Sequence, residues 1–211
     1  TVIAVIPKGT THEYWKSVHA GAFKAARELG VEIIWKGPLR EDNREDQIKV
    51  VEDFITRGVD GMVLAPLDDT ALRPAVAEAG QNKIPVVIID SGLRGGDYLT
   101  YVATDNRRGG RLAAEHLAKL LQGRGRVAML RYLEGSASTR EREEGFAEAL
   151  RDLPGMRLVS GNQYAGATTE TAYRAGENLL AALRLEGQLA VDALFCPNES
   201  TTFGMLRALE D

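Results

Sequence analysis

The chain has 211 residues, 44% hydrophobic and 27% charged, with a formal net charge of −4, a size that holds one large or two small domains. That charge gives no bulk electrostatic grip on nucleic acid or anionic lipid, and no apolar run reaches the length of a membrane span. A single cysteine, Cys196, excludes an internal disulfide and a cysteine metal cluster.

The chain starts directly on a strand with no leader pattern, as in a cytoplasmic protein or an exported one already trimmed. The runs VIAVI (2–6), VEIIW (31–35), GMVLA (61–65) and PVVIID (85–90) are short, β-branched and nearly all apolar, the pattern of strands buried on both faces of a parallel sheet. Between the first two, Trp15, Val18, Ala22, Ala25, Ala26 and Leu29 predict one face of a helix stopped by Gly30. Ile48, Val51 and Ile55 predict a second helix closed by Gly58, and an alanine-rich stretch predicts a third over about 69–81. YLTYVATDN (98–106) restarts the pattern as a short strand running into a helix over about 107–122. RVAML (126–130), a helix over about 138–152, RLVS (157–160), a helix over about 169–183, DALFC (192–196) and a last helix from Ser200 to Leu209 complete it. Cys196 closes an apolar run and reads as a small buried hydrophobe.

This alternation predicts right-handed crossovers and doubly wound α/β layers. GAFKAARELGVEII (21–34) parallels GFAEALRDLPGMRLV (145–159), and VDGMVLAP (59–66) parallels VDALFCPN (191–198). Two similar lobes explain these echoes, although any two βα units share such motifs. The expected division is 1–104 and 105–211.

Ligands of open α/β sheets bind outside the carboxyl ends of the strands. There the sequence places Lys8, His12, Tyr14 and Trp15 after the first strand, Ala65, Pro66, Asp68 and Asp69 after the third, and Asp90 and Ser91 after the fourth. Thr104, Asp105 and Asn106 follow near the crossover, then Ser136, Ser138, Arg140, Tyr164, Asn198 and Glu199. Carboxylates, amides, a guanidinium and flat aromatic faces suit a sugar, whose hydroxyls donate and accept and whose C–H faces lie on rings. Each residue also has a structural use: Trp15 fits the helical stripe, His12 a helix start, Asp90 a turn, Arg140 a solvated helix start and Asn198 a helix cap. Their shared location at strand ends favours the binding reading. Enzyme signatures are missing: no P-loop, no G-x-G-x-x-G after the first strand, no G-x-S-x-G elbow and no metal spacing among His12, His19 and His116. No cofactor is expected.

GVDGMVLAPLDDTAL, IPVVIIDSG, VATDNRRGGRLAAEHL, GSASTREREEGFAEAL and LFCPNESTTFGMLRAL stand in an order and spacing that resembles the type I periplasmic binding proteins, in particular the ribose-binding-like receptors of sugar ABC transporters. The resemblance implies two Rossmann-like lobes with doubly wound parallel sheets, joined by a three-strand hinge. It implies capture of a monosaccharide, a pentose or hexose, between the lobes and delivery to a membrane permease from a periplasmic or extracytoplasmic location. By the same resemblance, His12, Tyr14 and Trp15 form the first lobe's sugar wall. Asp90 keeps the family's aspartate while Ser91 replaces its arginine, and Ala65 stands where an amide is common. Arg140 opens the family's RERxEGF motif, Tyr164 or Ala165 takes the third aromatic's place, and Asn198 is followed by Glu199 rather than Asp. These departures argue against assigning ribose itself.

Because the family continues past the equivalent of Asp211, the resemblance implies an incomplete second lobe. It further implies an exposed sheet edge open to self-association and weaker sugar binding than a full-length parent. The same fold serves as the effector core of lactose-repressor-type regulators, whose DNA-reading headpiece has no counterpart before the first strand here. That is the alternative function.

Overall fold

The computed structural model describes residues 1–210. The chain forms two compact units, one of Thr1–Ala103 with Gly135–Ala137, the other of Thr104–Glu134 with the residues from Ser138 onward.

Unit 1 is built on β1 (Val2–Ile6), β2 (Glu32–Trp35), β3 (Gly61–Leu64), β4 (Val86–Ile89) and β5 (Thr100–Val102). They form one sheet in the order β2-β1-β3-β4-β5, with every pairing parallel. The connections step outward from β1 to β2 and then back across to β3, so right-handed crossovers place α1 (Glu13–Leu29) on one face and α2 (Arg44–Arg57) and α3 (Arg73–Gln81) on the other. Alternation along the strands then sorts the core. Ala4 and Ile6 of β1, Met62 and Leu64 of β3, and Val86 and Ile88 of β4 pack with Val51, Phe54 and Val76 of the two helices. Gly30 and Gly58 end α1 and α2 in the left-handed region, where a residue without Cβ is favoured.

Unit 2 has β6 (Gly125–Arg131), β7 (Met156–Tyr164) and β10 (Ala193–Phe195) in the parallel order β10-β6-β7. Its helices are α4 (Asn106–Leu120), α5 (Ala137–Arg151), α6 (Thr169–Ala182) and α7 (Glu199–Glu210). Val127 and Met129 of β6 face α4 and α5 with Phe146 and Leu150. Ala128 and Leu130 face α6 and α7 with Leu179 and Met205. Both faces of β6 are thus covered, which is why VAML (127–130) is continuously apolar.

YLTYV, short and placed before the expected division, joins the first sheet: β5 pairs with β4, Ile88 opposite Tyr101. Several elements differ from the sequence reading. The third helix starts at Arg73 rather than near 69, because the Asp68 carboxylate accepts from the backbone N–H of Thr70 and Ala71 at 2.9 and 2.8 Å and holds that stretch as a turn. Leu29 is 73% exposed and Ala25 is exposed, so the α1 stripe buries only Trp15 and Ala26. RLVS extends to a nine-residue strand through polar Ser160–Gln163, kept in register with β6 across two irregular steps. A short hairpin, β8 (Arg184–Leu185) and β9 (Gln188–Leu189), turns on Glu186 and Gly187, both at positive φ.

Glycine sets the close approach of α4 and α5. A Cβ at Gly145 would lie 2.0 Å from the Arg107 carbonyl oxygen, and one at Gly110 would lie 1.9 Å from that of Arg142. Gly145→Ala is therefore expected to destabilise unit 2 by about 3 kcal/mol or more. Gly21→Ala, in an open position of α1, is expected to raise stability by about 0.5–1 kcal/mol. Paired thermal melts check both, and a Gly145→Ala variant as stable as the parent would refute the packing account.

Candidate functional site

The carboxyl ends of the unit 1 strands share one edge because the sheet is parallel, and the reversal of strand order falls between β1 and β3. Gln47, fully buried on α2, braces that edge. Its amide nitrogen donates to the Pro7 and Ala65 carbonyls at 2.9 and 2.8 Å, and its oxygen accepts from Leu67 N–H at 3.0 Å. The loop after β1 and the loop between β2 and α2 lie against each other. Thr10 N–H donates to Leu39 O at 3.5 Å, and a Cβ on Gly9 would come within 3.0 Å of Glu41 Cγ.

These contacts gather a cluster within unit 1. Tyr14 Oη donates to Asp90 Oδ1 at 2.8 Å, and Lys8 Nζ lies 3.5 Å from Asp90 Oδ2 and 3.2 Å from Ser136 Oγ. Trp15 Nε1–H donates to Glu41 Oε1 at 2.6 Å, and His12 Nδ1 lies 3.0 Å from the same oxygen. The Tyr14 and Trp15 rings meet edge to face, centroids 4.9 Å apart. Tyr14 is 48% exposed whereas Trp15 is buried, so Trp15 serves the helix's inward face as well as this cluster. Asp90 sits at φ 64, with Ser91 N–H donating back to Ile89 O at 2.6 Å. That tight three-residue turn is strained by about 1–3 kcal/mol and aims the carboxylate at Tyr14 and Lys8.

Glu41 is the member the sequence reading missed. GPLREDN reads as a solvated charged loop, and nothing local marks one of its acids for burial; the β1–β2 register brings it in. Burial alone would push the Glu41 carboxyl up. The His12 hydrogen bond, the charges of Lys8 and His12 and the Trp15 N–H outweigh burial and hold it at about 2, against an ordinary 4.5.

In unit 2 the predicted residues have separate anchors. Asp105 caps α4, its Oδ1 accepting from Arg108 N–H at 3.0 Å, and Asn198 Oδ1 accepts from Thr201 N–H at 3.3 Å at the start of α7. Arg140 is half-buried, with Nε 3.8 Å from Glu144 Oε1. Tyr164 is exposed and lies beneath the Arg131 guanidinium, 4.9 Å from ring centroid to carbon. Ala165, the other candidate for the aromatic position, is buried. Burial pushes the Cys196 thiol up to about 12, far from a nucleophile's range.

The family model for the periplasmic binding protein domain matches residues 3–211. The chain belongs to this family. It is 30% identical over 208 residues to the ribose import binding protein of Salmonella typhimurium, covering 99% of this chain and 67% of that protein. The chain thus spans about two-thirds of the length of that relative. A periplasmic component of an ABC-type sugar transport system from Hahella chejuensis superposes with a TM-score of 0.93 at 34% identity, over 100% of this chain and 75% of that one. A solute binding protein of an ABC transporter from Agrobacterium vitis, with bound D-fucose, gives 0.89 at 35%, over 100% and 72%. The fold is that of type I periplasmic sugar-binding proteins, and relatives of this kind are binding proteins rather than enzymes.

The depressed Glu41 acidity has a defined sign. Its stabilisation is fully present above about pH 4.5 and is lost as pH falls toward about 2, and it amounts to roughly 3 kcal/mol at most. Glu41→Gln is expected to lose less melting temperature than the parent between pH 5 and pH 2. Equal losses in the two proteins would contradict the assignment.

Proposed function

We propose that the protein is a periplasmic solute receptor that captures a monosaccharide, a pentose or hexose, and passes it to the membrane permease of an ABC transporter without catalysing a reaction. The observation that carries this reading is the amphipathic surface of unit 1: the half-exposed Tyr14 ring with its hydroxyl held by Asp90, beside His12, Trp15 and Lys8. A ring face takes the apolar C–H side of a sugar while the carboxylate accepts from its hydroxyls. Charge-assisted hydrogen bonds of this kind contribute about 1.5–3 kcal/mol each.

We assign His12, Tyr14, Trp15 and Asp90 as the contacts from unit 1. Arg140, Tyr164, Asn198 and Asp105 are assigned as those from unit 2, Asn198 acting through its amide nitrogen because Oδ1 caps α7. The relatives named for sugar import and sugar binding support transport over gene regulation.

A thermal-shift screen against pentoses, hexoses and polyols, D-ribose and D-fucose among them, tests the proposal. A selective rise of about 5 °C or more is expected at a hundredfold excess over Kd, reduced in Asp90→Ala. A flat response to every sugar would overturn it.

A further inference from the structure

The Glu41 carboxylate is buried behind the half-exposed Tyr14 ring and binds the two residues, Trp15 and His12, that back and flank it. It is 7% exposed. One of its oxygens accepts from Trp15 Nε1 at 2.6 Å and lies 3.0 Å from His12 Nδ1. Those two side chains flank Tyr14 at the start of α1 and, left to themselves, have free rotation about χ1 and χ2. Trp15 is buried, so packing confines the indole, and the Glu41 hydrogen bond selects which way its N–H points; His12, half-buried at the helix start, has the carboxylate as its polar anchor. A carboxylate on Nδ1 also fixes the imidazole's orientation, because the Nδ1 proton stays directed at Glu41. Gly9 leaves the space this requires, because a Cβ there would press on Glu41 Cγ at 3.0 Å and on its backbone nitrogen at 3.3 Å.

We propose that Glu41 is a positioning residue of the sugar site, holding the Trp15 indole and the His12 imidazole in one orientation before ligand arrives. The mechanism is preorganisation: rotors frozen in the empty protein need not be frozen on binding, so affinity rises without a new contact to the ligand. The affinity part rests on the receptor reading above; the orientation of Trp15 does not.

The experiment combines calorimetry, using whichever of D-ribose or D-fucose gives the larger thermal shift, with the indole N–H resonances of the ligand-free protein. Its two tryptophans are told apart by Trp35→Phe. Glu41→Ala is expected to move the Trp15 indole proton upfield and to weaken binding roughly tenfold to a hundredfold. Glu41→Gln, whose amide oxygen still accepts from both partners, is expected to return both readouts close to the parent's. Should Glu41→Ala fail to fold, Gly9→Ala takes its place with the same two expected changes. A Glu41→Ala protein with lowered melting temperature but unchanged indole resonance and affinity would overturn the proposal, as would a Glu41→Gln protein as impaired as Glu41→Ala. A parent protein that binds neither sugar would count against the receptor reading alone, and the indole resonance would then decide for or against Glu41 by itself.

Discussion

Three backbone groups at the carboxyl edge of the unit 1 sheet, the carbonyls of Pro7 and Ala65 and the N–H of Leu67, are satisfied by one buried side-chain amide, Gln47. Each would be left unpaired in a dry interior without it, at about 1–3 kcal/mol apiece. The brace therefore joins the ends of β1 and β3 where the strand order reverses, and it fixes the origin of both loops that leave that edge. Everything proposed for the site follows from that placement. The loop after β1 carries Lys8, His12 and the start of α1, and the loop before α2 can then lay Glu41 against them.

The cluster gathers a buried carboxylate, Glu41, a half-buried one, Asp90, and a buried ammonium, Lys8, charges that a protein interior tolerates only when they are paired and hydrogen-bonded. Pairing here is unequal. Glu41 is held by donors on two sides and stays ionised far into acid. Asp90 shares its oxygens between a phenol and the Lys8 ammonium while its own backbone is strained. A carboxylate presented from a strained turn toward an exposed aromatic ring is the arrangement expected of a group kept for a ligand rather than for stability. Ser91, where the resemblance implies an arginine, is fully buried. The positive charge near Asp90 comes instead from Lys8, on a different loop.

Much of the fold was legible because burial on both faces makes a strand continuously apolar, and because Gly30 and Gly58 mark helix ends by backbone geometry alone. What was not legible depends on partners distant in sequence. YLTYV carries no sign of which sheet it joins; its pairing with β4 decides that. The polar half of β7 is strand only because β6 lies beside it. Leu29 continues a perfect helical stripe but overhangs the sheet, whose next strand starts at the exposed Glu32. Four residues of unit 1 assigned to the site from their position after strands, His12, Tyr14, Trp15 and Asp90, lie in one cluster. Glu41 was hidden, since a charged loop gives no sign of which acid will be buried. In unit 2, Asn198 was open to two readings, and its cap of α7 realises the structural one without removing the other; Asp105 likewise caps α4.

The central proposal is that Tyr14 and Asp90, backed by the buried Trp15 ring, meet a sugar. Intrinsic fluorescence of Trp15, isolated by Trp35→Phe, tests it most directly during a titration with a sugar whose binding calorimetry has established. The account predicts a saturable change in Trp15 emission with a midpoint equal to the calorimetric Kd, abolished together with binding in Asp90→Ala. Full calorimetric binding with Trp15 emission unchanged throughout would contradict it.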